Sequence, residues 1–148
     1  MARTYPQLDL DAQICFPLYA ATRAVTHTYG RLLADVGLTY PQYLTLLALW
    51  GAEDPLTVGE VGARLRLDSG TLTPLLKRLE AARLVVRRRD PADERRVLLE
   101  LTDEGWSLRD RVAHVPGALV ESLSMSATEG AQLRRLLKEL LEHLDALG

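Results

Sequence analysis

The residues best suited to chemistry are a single cysteine and a group of tyrosines near the amino terminus. Cys15 is the one cysteine among the 148 residues, and all five tyrosines lie within the first 43. Cys15 and Tyr19 are four residues apart, so in a helix they share a face. Phenol hydroxyls stabilise a thiolate, the form of cysteine that peroxides oxidise to a sulfenic acid. The pattern fits a redox-sensing thiol, but it also fits an inert helical cysteine beside tyrosines that pack an interface.

Tyr29 lies fourteen residues after Cys15, which returns it to nearly the same helix face but places it about 21 Å along the axis. A contact between the two therefore requires either antiparallel helices from two subunits or a sharp break near Pro17, where proline removes a helical hydrogen bond. A helix that begins beside Pro17 would instead leave Cys15 at the helix N-terminus, where partial positive charge favours a thiolate.

The second group of candidate residues is basic and lies in the middle of the chain. Between Gly62 and Arg96 there are ten basic and five acidic residues, a local charge of +5 within a chain whose net charge is −2. A basic middle between acidic ends suggests that one face binds an anionic polymer, although a solvated arginine-rich surface has the same composition.

The hydrophobic periodicity and the capping patterns indicate which elements position these residues. One long helix is predicted over 8–35 and a second over 42–50, followed by two short helices over 57–65 and 69–82 with a tight turn between them. Strands over 84–88 and 96–101 flank the turn Asp90-Pro91-Ala92-Asp93, and two further helices follow, the first bent near Pro116 and the last opening at Ser126. This order predicts a mainly α fold, a winged helix-turn-helix with a two-stranded wing, in a single domain over 1–148.

Such a fold would bind double-stranded DNA through its second short helix and its hairpin. The N-terminal turn of a recognition helix meets base edges in the major groove, and a basic wing reaches phosphates or the minor groove. The candidate residues on the helix are Ser69, Gly70, Thr71, Thr73, Lys77 and Arg78. Those on the hairpin are Arg87, Arg88, Arg89, Arg95 and Arg96, with Asp93 placed to orient Arg95. A solvated amphipathic helix beside a plain hairpin is the alternative.

A palindromic operator requires two such modules, because its half-sites are about one helical turn apart. The terminal helices, 8–35 and 103–146, are strongly apolar and flank the DNA-binding region, 55–101, so we expect them to form a homodimer interface. No cofactor or metal is expected, because one cysteine rules out a multi-cysteine zinc site. The chain has neither a signal-peptide pattern nor an apolar run of membrane-spanning length, which favours the cytoplasm.

The segment from Leu8 to Leu144 resembles the MarR family of winged-helix repressors, and within it the organic hydroperoxide resistance regulators. The motifs that carry the resemblance lie at both the sensing and the DNA-reading ends: Cys15-Phe16, Leu18-Tyr19-Ala20, Gly37 to Leu44, Asp68 to Glu80 and Asp93-Glu94-Arg95. Pro17 departs from the family pattern, in which an ordinary helix residue is usual.

The resemblance implies a homodimer that represses a peroxide-detoxifying gene and releases its operator when an organic hydroperoxide oxidises Cys15. It implies that Tyr29 and Tyr40 of the other subunit bond to the thiol, with Tyr19 nearby, and that the 69–78 helix and the wing read the DNA. The region where relatives carry a resolving cysteine, 123–126, holds no thiol. A low-molecular-weight thiol would then cap the sulfenic acid, unless it is oxidised further.

Three other functions remain open from the residues. In a MarR-type repressor released by a small aromatic ligand, Cys15 would be structural. A thiol peroxidase would use the same cysteine catalytically, although the chain offers no resolving thiol. A dimeric scaffold would show no salt-dependent affinity for DNA.

Overall fold

The computed structural model describes residues 4–148; residues 1–3, which the single-domain prediction includes, lie outside the described part. The chain divides into two compact units, one ending at Ala113 and one formed by His114–Gly148. The prediction of a single domain stays a prediction.

The first unit holds most of the elements. Two short 3-10 helices, Pro6–Leu8 and Leu10–Ala12, precede α1 (Cys15–Leu32), and a third, Ala34–Val36, leads to α2 (Tyr40–Trp50). Then follow β1 (Leu56–Thr57), α3 (Val58–Leu65), α4 (Ser69–Ala81), β2 (Val85–Asp90), β3 (Asp93–Leu101) and α5 (Asp103–Val112). The second unit holds α6 (Val115–Leu123) and α7 (Ala127–Leu147). The predicted mainly α, winged-helix fold class is confirmed.

The first helix is shorter than predicted, because α1 begins at Cys15 and not near Leu8. Backbone angles are extended at Asp9 and Gln13, which separates the two 3-10 helices from α1. The Gln13 side chain also donates to the carbonyls of Gln7 and Asp9, at 2.9 and 2.7 Å, in place of helical bonds.

Pro17 produces no break in α1, because it occupies the third position of the helix. The first N–H groups of a helix have no partner in the preceding turn, so a proline there removes no helical hydrogen bond. Cys15 therefore lies at the first position of α1, close to where the alternative prediction placed it.

The helix-turn-helix is formed by α3 and α4, as predicted. A capping box starts α3: the Thr57 side chain accepts from Glu60 N, and the Glu60 side chain accepts from Thr57 N. Arg66 ends the helix in the left-handed region, at φ 56°. Asp68 then caps α4, whose inner face is buried through Leu72, Leu75, Leu76 and Leu79.

The wing is a hairpin of β2 and β3 around a two-residue turn at Pro91-Ala92. The sheet has a third strand that the sequence did not predict, because β1 is only two residues long and pairs Leu56 with Leu99 and Thr57 with Leu98. The strand order β1-β3-β2 therefore attaches the wing directly to the start of α3. Leu99 and Val85 lie in the core below the wing.

The segment predicted as one bent helix up to Leu123 is two helices, α5 and α6, with Pro116 in the first turn of α6. A proline is well tolerated in the first turn of a helix, where its missing N–H would have no partner, and the chain starts a new helix there. The capping box at Ser126 opens α7, as predicted. Within residues 4–148, no helix combines the length and the apolar character needed to cross a membrane.

Candidate functional site

Cys15 is exposed at the first residue of α1. Around it on the surface lie apolar side chains, Ile14 at 90% exposure and Phe16 at 40%. Tyr19, one turn further along, is also exposed, and its ring faces the guanidinium carbon of Arg23 at 5.8 Å. The thiol is therefore open to small solutes in this chain and shares its helix face with one phenol.

The other two predicted thiol partners form a compact cluster at the far end of α1. The rings of Tyr29 and Tyr40 stack with centroids 4.1 Å apart and planes 10° from parallel. Tyr43 completes this phenol cluster, with its ring 5.7 Å from that of Tyr29 and only 2% of its surface exposed. We use "phenol cluster" for Tyr29, Tyr40 and Tyr43 from here on.

Tyr43 was missing from the residues predicted from the sequence. The sequence does contain a pattern that points to Tyr43, because Tyr40 and Tyr43 are three residues apart and so project from the same face of α2. The contact with Tyr29 joins two helices and is visible only in the structure.

The phenol cluster is strongly biased towards its neutral form. Burial raises the pKa of Tyr29 to about 12, with further increases from the neighbouring Tyr40 and Tyr43 and from its hydrogen bond with Tyr40. Burial also raises the pKa of Tyr40 and of Tyr43. Near pH 7 these phenols keep their protons, so their hydroxyls remain available as hydrogen-bond donors.

Cys15 and the phenol cluster do not meet within one chain. The helix between Cys15 and Tyr29 is continuous, so the two residues are separated by about 21 Å at 1.5 Å per residue. The sharp break near Pro17, one of the two routes to a contact, is absent. The remaining route is a second copy of the chain, with its α1 antiparallel to the first.

The predicted DNA-binding residues of α4 lie on its outer face. Ser69, Gly70 and Thr71 are exposed in the first turn, and Lys77 and Arg78 are exposed further along; Thr73 is partly covered. Asp68, which was not among the predicted site residues, accepts a hydrogen bond from Thr71 N at 2.8 Å, and this bond lowers the pKa of the Asp68 carboxyl. The first turn is therefore held by its own cap and presents short hydroxyls to solvent.

The arginines of the wing are held by acceptor groups. Arg87 pairs with Glu80 of α4 at 2.9 Å, Arg88 pairs with Glu100, and Arg89 donates to the carbonyl of Glu94 at 2.8 Å. Arg96 lies between Glu60 and Asp90, at 3.5 and 3.4 Å. These contacts fix the directions of the side chains, which the sequence alone could not give.

Arg95 is more exposed than Arg87, Arg88 and Arg96. Its side chain is 92% exposed, and its Nε lies 3.2 Å from Asp93 Oδ1, the contact that the sequence predicted. The backbone N–H of Arg95 donates to the same oxygen, and both bonds lower the pKa of the Asp93 carboxyl.

Within residues 4–148 no group of three or more histidine, cysteine, aspartate or glutamate side chains is arranged to hold a metal ion.

Comparison with known proteins gives consistent relatives. Residues 27–112 match the family described as "Transcriptional regulator SarA/Rot". Over 144 residues the chain is 44% identical to the organic hydroperoxide resistance transcriptional regulator of Bacillus subtilis (strain 168), covering 97% of each protein.

Solved structures agree with this result. The structure of reduced AbfR bound to DNA matches with a TM-score of 0.81 and 38% identity, over 95% of this chain and 96% of that one. Overoxidized AbfR bound to DNA matches with a TM-score of 0.74 and 37% identity, over 93% and 96%. AbfR comes from Staphylococcus epidermidis.

Proposed function

Because the chain belongs to the MarR family of winged-helix transcriptional regulators, and is not an enzyme, we propose that it is a repressor whose hold on DNA is switched by oxidation of Cys15. The inducer that we propose is an organic hydroperoxide. The observation that carries this proposal is an exposed thiol at the first residue of α1, in a chain whose half-buried phenols Tyr29 and Tyr40 stack at the other end of that helix.

In this proposal the chain binds a palindromic double-stranded operator through α4 and the wing. The exposed first turn of α4 supports contact with base edges, and the exposed Arg95 supports contact with a phosphate or the minor groove. Relatives solved on DNA have the same fold. Such a regulator would act in the cytoplasm, where the DNA is.

The active species that we propose is a homodimer in which α1 helices run antiparallel. A second copy could bring its phenol cluster to Cys15, which the single chain cannot do across about 21 Å. Donation from Tyr29 and Tyr40 of that copy, with Tyr19 from the thiol's own helix, would stabilise the thiolate.

Oxidation would proceed by attack of the thiolate on the peroxide. The sulfur takes one oxygen, the O–O bond breaks, and the alkoxide leaves and is protonated to an alcohol, so that Cys15 becomes a sulfenic acid. A low-molecular-weight thiol then attacks the sulfenic sulfur with loss of water and leaves a mixed disulfide. Either product is larger than the thiol and would disturb the phenol contacts that hold the dimer in its DNA-binding form.

The test is operator binding by reduced and peroxide-treated protein, wild type and Cys15→Ser. The operator is first selected by reduced protein from a library of random duplexes. We expect treatment with cumene hydroperoxide and a small thiol to weaken wild-type binding by at least tenfold, a coupling of about 1.4 kcal/mol or more, and to leave Cys15→Ser unchanged.

The oxidation state of Cys15 must be measured by mass spectrometry in the same samples, because AbfR was solved on DNA in both a reduced and an overoxidized form. Equal release of wild type and Cys15→Ser would contradict the redox proposal. Release of reduced protein by a phenolic compound, with no response to peroxide, would favour the aromatic-ligand alternative.

A further inference from the structure

Arg95 and Arg96 are adjacent on β3, yet they have different surroundings. The Arg95 side chain is 92% exposed, and its Nε lies against Asp93 of the same strand. The Arg96 side chain is 48% exposed, and each of its two terminal nitrogens faces a carboxylate from another element: Nη2 faces Glu60 of α3 and Nη1 faces Asp90 of β2.

Each of the two carboxylates that contact Arg96 also accepts a hydrogen bond from a backbone N–H of its own segment. Glu60 Oε2 accepts from Thr57 N at 2.8 Å in the capping box, which leaves Oε1 for Arg96. Asp90 Oδ1 accepts from Ala92 N at 2.9 Å in the hairpin turn, which leaves Oδ2 for Arg96. Each acid therefore uses one oxygen to order its own element and the other to hold the guanidinium.

The result is an attachment of the wing to the helix-turn-helix in addition to two others. These are the pairing of Thr57 with Leu98 at the base of the sheet and the ion pair of Arg87 with Glu80 of α4. The contacts of Arg96 lie further out, between the hairpin turn and the first turn of α3. We name Glu60, Asp90 and Arg96 the wing bracket.

We propose that the wing bracket sets the position of the wing relative to α3 and α4, and that Arg96 is a positioning residue and not a phosphate contact. This rests on the DNA-binding part of the proposed function. Two contact elements that must meet one duplex bind best when they are held at the right separation, because the second contact then occurs at a high effective concentration. Arg96 was predicted from the sequence to bind DNA directly, and the bracket gives it a different role.

Glu60→Gln is the most informative variant, because glutamine also serves at the third position of a capping box. It retains the bond to Thr57 N and removes the charge that faces Arg96, so the thermal midpoint should stay near that of the wild type. Exposed ion pairs are individually weak, so we expect its operator affinity to fall about two- to fivefold. Glu53→Gln is the charge control. Glu53 has no ion-pair partner among residues 4–148, and loss of its negative charge should not weaken operator binding.

The salt dependence separates positioning from phosphate contact, since each lost phosphate contact lowers the slope of log affinity against log salt by about one. Arg95→Ala should lower the slope in this way. Arg96→Ala should weaken operator binding and leave the slope unchanged. Affinity for a scrambled duplex should not fall in Glu60→Gln or Arg96→Ala.

A double-mutant cycle completes the test, because residues that act through one contact are not additive. Glu60→Gln combined with Arg96→Ala should bind the operator as Arg96→Ala does. Additive losses, or a slope for Arg96→Ala that falls by about one, would overturn the wing bracket while leaving the repressor proposal intact. A wild-type protein that selects no duplex would overturn the repressor proposal itself.

Discussion

At the scale of single residues, the side chain whose pKa is shifted most is a phenol, that of Tyr29. Tyr29 is covered by Tyr40 and Tyr43, and burial raises its pKa to about 12. The stabilisation of the neutral phenol is useful to the proposed sensor, because only a protonated phenol donates a hydrogen bond to a thiolate. Cys15 itself has no such surroundings in one chain, and in the proposed dimer its chemistry would depend on the phenols of the second copy.

The raised pKa of Tyr29 predicts a loss of stability at high pH. The unfolded chain releases this proton near pH 10 and the folded chain only near pH 12, so the free energy of unfolding is unaffected below pH 10 and falls as the pH rises from about 10 towards 12. Tyr29→Phe cannot ionise and should lose less stability over this range. Urea midpoints at pH 8, 10 and 11 for both proteins provide the measurement.

Tyr5→Phe is the control, because Tyr5 precedes the first 3-10 helix, is 48% exposed and lies outside the phenol cluster. If Tyr29→Phe and the wild type lose the same stability between pH 10 and 11, the burial of Tyr29 does not govern this titration.

At the scale of elements, the wing is held at its base by hydrogen bonds of Thr102 and further out by the wing bracket. At the base, Thr102 Oγ1 donates to the carbonyl of Arg83 at 2.6 Å, and the Thr102 N–H donates to the carbonyl of Leu84 at 3.1 Å. The first turn of α5 passes so close to this point that only glycine fits. A Cβ on Gly105 would lie 2.2 Å from the carbonyl oxygen of Leu84.

Gly105→Ala should therefore destabilise the first unit by about 1–3 kcal/mol, since backbone must move to admit the methyl group. The move also disturbs the bond from Trp50 Nε1 to the Gly105 carbonyl, now 3.0 Å. Gly59→Ala is the matched control: its Cβ would meet only Thr57 Oγ1 at 4.0 Å, and alanine is the better helix former. Urea unfolding at one fixed protein concentration gives both values, and equal stabilities of the two variants would show that the contact is relaxed at no cost.

At the scale of the whole molecule, the proposed dimer accounts for apolar surface that one chain leaves uncovered. Along α7, Leu136, Leu140 and Leu144 recur every four residues and are exposed at 53%, 36% and 50%. A row of this kind at helical spacing is typical of a helix that packs against another chain.

We expect Leu136→Glu combined with Leu144→Glu to convert the protein from dimer to monomer at micromolar concentration in analytical ultracentrifugation. The physical reason is the cost of placing carboxylates in an apolar interface. The wild-type thermal midpoint should rise with protein concentration, since association stabilises the folded state by mass action.

Lys138→Glu, on an exposed position of the same helix, is the matched control and should stay dimeric. A double leucine variant that remains a dimer would exclude this face from the interface.

Local sequence patterns predicted helix starts and short-range contacts better than hydrophobic periodicity did. The caps at Thr57 and Ser126 are short-range patterns, and they located two helix starts correctly. The hairpin turn and the Asp93–Arg95 contact are equally local, because the partners lie within a few residues. Periodicity alone was less reliable: it extended α1 back to Leu8, where extended backbone at Asp9 and Gln13 interrupts the helix.

The sequence by itself determined the fold class and predicted the DNA-reading pattern and the sensing thiol, because these depend on residue types at short spacings along the chain. Only the tertiary structure decided that Tyr43 joins Tyr29 and Tyr40, that Glu60 and Asp90 hold Arg96, and that β1 attaches the wing to α3. Each of these contacts joins side chains or strands from different elements. Spacing along one chain does not specify such contacts, because the direction of each side chain is set by how the elements pack.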